Sequence, residues 1–224
     1  MPTVGSLFSG VGGLDLGLER AGWQVRWQVE IDDYRRQILA RHWPDVQRHG
    51  DITAVDPAAL APVDLISGGF PCQDVSVAGS RAGLAGERSG LFFQCIRIAA
   101  ALRPRWLLIE NVPGLLSSND GRDFAVVLGE MGRLGYWWTY RVVDSQYFGL
   151  AQRRRRVFIV GHLGAPCPPE ILLEPESGRR DTPPSREATA ESTTASLSGL
   201  GSGGADDNDA QANRLVSHAL TSWT

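Results

Sequence analysis

Cys72 occupies a telling position for one of only three cysteines in 224 residues. It follows Pro71 in "GGFPCQDVSVAGSR" (68–81), directly after the apolar run "VDLIS". A cysteine at the end of a buried strand, beside glycines and at a loop start, is placed to act rather than to fill a core, the plainer alternative being an incidental thiol. Strand C-terminal ends are where α/β proteins hold ligands, and the reactive form of the group is the thiolate. Cys95, inside "LFFQCIRIAA", has the setting of a small core residue, and Cys167 falls in a proline-rich stretch. "LLIENV" puts Glu110 and Asn111 at the end of a second apolar run. A carboxyl buried there is costly without a task or a partner. Such a group can donate a proton near neutral pH, or serve as a cap or ion pair.

Two further stretches offer binding groups. "FSGVGGLDLG" joins a strand to a helix start through a glycine-rich turn. Glycines let backbone N–H groups approach a ligand, and the helix N-terminus favours a carboxylate or phosphate. Glu30 follows Gly10 by 20 residues, at the end of the next strand, where a carboxylate can hold a ribose diol. The glycines run G-V-G-G rather than G-x-G-x-x-G, so a tight packing turn is the plainer alternative. Asp51 in "GDIT" could accept from an adenine amino group or simply cap a turn. In "FGLAQRRRRVFIVG" the arginines form the one dense basic cluster. Alternate strand side chains share a face, so Arg154 and Arg156 would reach a common site. The bland alternative is a solvated basic strand edge.

The elements that must position these groups alternate along the chain. Strands are expected at 3–9, 24–31, 63–69, 106–112, 136–144 and 155–163, with a short one ending at "GDIT". Helices are expected after the glycine turn (supported by Leu14, Leu16, Leu18 and Ala21) and at 32–43, 90–105 and 121–135. This alternation predicts an α/β domain with a mostly parallel sheet. The last two strands have no helix between them, so an antiparallel pair is expected near the C-terminal end of the domain. Residues 1–164 read as the catalytic domain. Residues 165–224, rich in Pro, Ser, Gly and Asp, read as a linker or poorly ordered remnant.

Composition narrows the classes. All 22 basic residues are arginine, and net charge is −3. Arginine suits bidentate phosphate contacts. Residues 1–164 carry a net +2 and residues 165–224 a net −5. No apolar run is long enough to span a membrane. Three cysteines without CxxC spacing point away from a disulfide framework or a zinc site, and toward a reducing cytoplasm. The N-terminus lacks the pattern of a secretion signal.

Together, "LFSGVGGLDLGLERAGW", "EID", "GDIT", "GGFPCQDVSVAG", "RSGLF", "IENVPGL" and "SQYFGLAQRRRRVFIVG" resemble the DNA cytosine-5 methyltransferase family in order and spacing over residues 3–163. The resemblance implies a Rossmann-like methyltransferase fold that uses S-adenosylmethionine, with no metal. It implies a cofactor site of Phe8, Ser9, Gly10, Gly12, Gly13, Leu14, Glu30, Ile31, Asp51, Ile52, Gly69, Pro71 and Leu91. Cys72, Gln73, Glu110, Asn111, Arg154 and Arg156 would form the catalytic set. Ser76, Arg81, Arg88 and Gln152 would contact double-stranded DNA. A bacterial or phage-encoded restriction–modification setting is implied as well. The family pattern continues into a target recognition domain, which the sequence after residue 163 does not resemble. The open alternatives are a remnant that binds S-adenosylmethionine or DNA without catalysis, one half of a split enzyme completed by a second chain, and the same chemistry on RNA. More distant are an NAD-dependent oxidoreductase and a Cys/His hydrolase using His42 or His49, both read as helix-end residues.

Overall fold

The computed structural model describes residues 1–71, 90–148 and 151–167. Its strands are β1 (Thr3–Leu7), β2 (Gln24–Val29), β3 (Gln47–His49), β4 (Leu65–Gly68), β5 (Trp106–Asn111), β6 (Tyr136–Asp144) and β7 (Arg155–Leu163). Its helices are α1 (Gly13–Arg20), α2 (Asp33–His42), α3 (Leu91–Leu102), α4 (Gly114–Ser117) and α5 (Arg122–Arg133). Seven strands form one sheet in the order β3-β2-β1-β4-β5-β7-β6. β1 to β5 are mutually parallel, while β7 inserts between β5 and β6 and runs antiparallel to both. The chain winds outward from β1 in one direction and from β4 in the other. The β1/β4 boundary is therefore the topological switch point, where a crevice opens at the strand C-termini.

The sheet is covered on both faces, which is why its central strands read as continuous apolar runs. On one face α3 and α5 pack Phe92, Ile96, Phe124, Val127, Leu128 and Met131 over Leu7, Ile66, Leu107, Ile109 and Ile159. In α5 the residues Phe124, Val127, Leu128 and Met131 recur at the three-and-four spacing of one helix face, and all are buried. On the other face Val4, Val25 and Leu65 meet Leu39 and Trp43 from α2 and its cap. Trp27 is fully buried and donates its indole N–H to Ala61 O at 2.9 Å, and Tyr136 donates its hydroxyl to Pro104 O at 2.6 Å.

Three expectations shift. The first strand stops at Leu7 rather than residue 9, because Phe8 adopts a left-handed backbone (φ 53°) that turns the chain. That conformation costs a non-glycine residue about 1–2 kcal/mol, a strain seen where a site dictates the path. Of the leucines of α1, Leu18 packs against the Val4, Leu39 and Trp43 core, but Leu16 is 43% exposed, whereas Asp15 is fully buried. His49 ends strand β3 rather than a helix, while His42 does close α2.

Candidate active site

Two adjoining clefts lie over the strand C-termini and share Phe8 and Gly69. The larger, about 600 Å³, is lined by the turn residues Phe8, Ser9, Gly10, Gly13 and Leu14, by Ser67 to Gly69 after β4, and by Glu110, Arg154, Arg156 and Phe158. The smaller, about 240 Å³, is lined by Val29, Glu30, Ile31, Arg35, Asp51, Ile52, Pro71 and Leu91. All but two of the described residues expected around a cofactor or at the reacting end thus border one trough. Gly12 is the first exception. It lies behind the turn, where a side chain would strike the Trp43 ring. Asn111 is the second. It is buried, donates to Phe70 O at 3.3 Å and accepts from Val112 N at 2.8 Å, bracing the strand ends. Cys72, Gln73, Ser76, Arg81 and Arg88 lie outside the described residues.

The smaller cleft suits a nucleoside. Glu30, 5% exposed, accepts from Gly10 N (2.8 Å) and Asp32 N (3.0 Å), with Arg35 3.7 Å away. A carboxylate has about four lone-pair sites, so acceptor capacity is left for a diol. Val29, Ile31, Ile52, Pro71 and Leu91 make apolar walls. Ile31 is 69% exposed, an apolar cost at the surface that a flat ring would cover. Asp51 caps the short turn Ile52–Ala54 by accepting from Thr53 N at 2.8 Å, and that bond holds its carboxyl below the usual range. Its role as a turn cap and its place at the cleft rim coexist. S-adenosylmethionine therefore fits the residues present.

The reacting end is built by the antiparallel insertion. β7 lies beside β5 with Glu110 opposite Phe158. Arg156 Nε reaches Glu110 Oε1 at 2.8 Å, and Arg154 Nη2 stands 4.0 Å from the same oxygen. Arg153 turns instead toward Asp144, at 3.9 Å. Gln152 is exposed, and its carbonyl accepts from the Ser145 hydroxyl at 2.6 Å. Gly69 lies next to this carboxylate, where a Cβ would sit 2.8 Å from Glu110 Oε2 and displace its carboxyl end. The segment entering Cys72 is held on two sides. The Phe70 ring packs on Phe92 of α3 (5.2 Å between centroids), and its carbonyl takes the Asn111 bond.

Sequence reasoning missed Ser67, Leu108, Phe158 and Arg35 as lining residues. The register of β7 was the available signal for Phe158, two positions from Arg156. Ser67 is a lone polar residue in an apolar strand. Arg35 carried no local signal, because only the packing of α2 brings it to Glu30. Among the described residues no cluster of three or more His, Cys, Asp or Glu could hold a metal. No described helix is long and apolar enough to cross a membrane.

A glycine turn, a diol-ready carboxylate and an acid–arginine pair along the C-terminal ends of the parallel strands match what a Rossmann-like methyltransferase fold calls for. A profile of the C-5 cytosine-specific DNA methylase family matches residues 3–199, continuing past β7. The chain belongs to this family. Type II methyltransferase M2.BsuMI of Bacillus subtilis (strain 168) is 41% identical over 164 residues, 71% of this chain and 42% of that protein. M.NgoBI of Neisseria gonorrhoeae is 38% identical over 155 residues, 69% of this chain and 49% of that protein. The chain spans less than half the length of these two curated relatives. Among solved structures, an Escherichia coli prophage protein described as a DNA modification methyltransferase superposes with a TM-score of 0.63 at 28% identity, over 73% of this chain and 47% of that one. Spodoptera frugiperda DNMT2 superposes with a TM-score of 0.61 at 19% identity, over 81% of this chain and 54% of that one, a likeness of fold.

Proposed function

We propose that the chain transfers a methyl group from S-adenosylmethionine to carbon 5 of cytosine in double-stranded DNA, with Cys72 as nucleophile. The Glu110–Arg156 pair carries the reading. It stands at 2.8 Å in the same cleft as the glycine turn, beside the glycines that lead into Cys72. Glu30 would hold the donor's ribose, with the apolar walls of the smaller cleft against its adenine. Phe8 to Leu14 would border the remainder. Bound there, the donor supplies an electrophilic methyl group.

The target base must leave the duplex, since ring chemistry cannot proceed inside the stack. The Cys72 thiolate adds to carbon 6, forming a C–S bond. The electron pair displaced from the ring makes carbon 5 nucleophilic. Glu110 donates a proton at ring nitrogen 3, which removes the charge that would otherwise build there. Arg156 holds the base oxygen and orients Glu110 through their shared bond, and Arg154 adds positive charge on the same side. Once carbon 5 carries the methyl group, it loses its proton to a base. The C–S bond then breaks, returning the thiolate, and ring nitrogen 3 gives its proton back to Glu110. Ser76, Arg81, Arg88 and Gln152 would meet the DNA strand, where phosphate contacts fix register, and Gln73 would stand beside Cys72 in the catalytic set.

The test is incubation of the purified chain with methyl-labelled donor and a cytosine duplex. Label should enter DNA, the Cys72→Ala variant should transfer none, and a 5-fluorocytosine duplex should trap a covalent adduct on the wild-type chain. Donor binding with neither transfer nor adduct would overturn the catalytic reading and leave a donor-binding module.

A further inference from the structure

A row of polar side chains crosses the sheet beneath the glycine turn. Ser6 of β1 is in register with Gln28 of β2 on one side and Ser67 of β4 on the other. Asp15, in the first turn of α1, lies over them. Asp15, Gln28 and Ser67 are fully buried and Ser6 is 2% exposed. Gln28 Nε2 donates to Asp15 Oδ2 at 2.8 Å. Asp15 Oδ1, Gln28 Oε1 and Ser67 Oγ have no hydrogen-bond partner. Even with the bond that Asp15 takes from Ser6, the acid–amide pair holds two unpaired acceptors and lacks one donor. A buried carboxylate left in this state is heavily penalised. One proton on the carboxyl removes the charge and supplies the missing donor.

The pair sits where it can set the shape of the donor site. Asp15 follows Gly13 and Leu14, which border the larger cleft. Gln28 precedes Val29 and Glu30, and Glu30 accepts the Gly10 N–H. Asp15–Gln28 and Gly10–Glu30 are thus two rungs tying one turn to the end of one strand. We propose that Asp15 and Gln28 form a neutral acid–amide pair, protonated on Asp15, that positions the glycine turn for the methyl donor. The role rests on the function proposed above, while the protonation state of the pair does not.

Electrostatics agree in direction. Burial raises the Asp15 carboxyl above its usual range, outweighing the opposing bonds from Ser6 and Gln28, and Glu19 in the same helix adds a smaller push upward. β1, β2 and β4 present Ser6, Gln28 and Ser67 to it, none of which titrates near neutral pH. A group whose folded-state affinity for a proton exceeds its unfolded one stabilises at low pH and loses that contribution as pH rises through the folded value.

The experiment compares wild type, Asp15→Asn and Asp15→Ala by thermal unfolding from pH 4 to 9 and by calorimetric titration with S-adenosylmethionine. The asparagine amide supplies the missing donor without a proton. The expected result is a wild-type Tm that falls relative to Asp15→Asn as pH rises, with donor affinity retained in the asparagine variant. Asp15→Ala leaves the Gln28 amide unpaired and is expected to weaken donor binding roughly 5- to 10-fold. If Asp15→Ala does not fold, the asparagine variant and the pH series decide. A Tm difference between wild type and Asp15→Asn that is constant across the series would overturn the neutral pair. Donor affinity that is unchanged in Asp15→Ala, or lost in Asp15→Asn, would overturn the positioning role. A wild-type chain that binds no donor would sink the functional reading and with it the positioning role, yet still report the pair through the unfolding series.

Discussion

Gly12→Ala tests how the turn is built. Gly12 has φ +86°, in the left-handed region. A Cβ there would lie 2.3 and 2.4 Å from two Trp43 ring carbons and 3.0 Å from Leu39 Cδ2. Left-handed backbone costs an alanine about 1–2 kcal/mol. Trp43 is 8% exposed and Leu39 fully buried, so neither can swing into solvent. Forcing a methyl group between them adds about 1–3 kcal/mol of overpacking. The two effects together come to about 2–5 kcal/mol, or roughly 4–20 °C in Tm for a domain of this size. Thermal unfolding of Gly12→Ala, Trp43→Leu and the double variant measures it. The overpacking part should reappear as a favourable coupling of about 1–3 kcal/mol in the double variant, while the backbone part should not. Gly10 and Gly13 border the larger cleft, so donor affinity should fall alongside stability. A Tm within about 2 °C of wild type, less than 1 kcal/mol by the same scaling, would refute the reasoning.

Arg97 of α3 donates to Ile52 O (2.9 Å) and Val55 O (3.0 Å), clamping the turn that carries a wall of the smaller cleft. Arg97→Ala should cost about 2–4 kcal/mol in urea unfolding and weaken donor binding, and Arg97→Lys should not restore it because an ammonium lacks the two-pronged geometry; a wild-type lysine variant would refute the clamp. Burial pushes the Cys95 thiol up to about 12, and Cys167, donating to Trp137 O at 3.1 Å, is also raised. Alkylation of the native chain at pH 8, read by mass spectrometry, should therefore label Cys72 first, and Cys72→Ser should abolish the fast phase. Asp64 accepts from both the Thr3 N–H and the Thr3 hydroxyl at 2.8 Å, bonds that hold its carboxyl below the usual range. Its contribution is present above the unfolded value near 4 and lost as pH falls through the folded one. Asp64→Asn should thus lower Tm at pH 7, with the gap to wild type closing below about pH 4.

Local patterns carried much of the architecture. Strands at 136–144 and 155–163 followed from alternating apolar residues with no helix between them, and the antiparallel pairing followed from that short connection. A common site for Arg154 and Arg156 was expected from strand alternation, although Arg154 precedes β7 and Glu110 as their shared partner came only from the fold, and Glu30 was expected from its spacing after the glycine turn. These are short-range regularities of backbone geometry, so they survive in one dimension. The insertion of β7 between β5 and β6 did not, because strand order depends on which faces pack best across the whole sheet. The same holds for α1. Its leucines support a helix, yet Leu14 borders the larger cleft, Leu16 is exposed and only Leu18 packs on the core, while Asp15 is buried against the polar row of the strands. Asn111, expected among catalytic groups, braces Phe70 because β5 ends beneath it. Residue types and spacing determined the elements of this protein and its candidate reacting groups. The tertiary structure alone decided strand order, which helix face is buried, and which of the polar residues border the trough, because those outcomes depend on contacts between segments far apart in the chain.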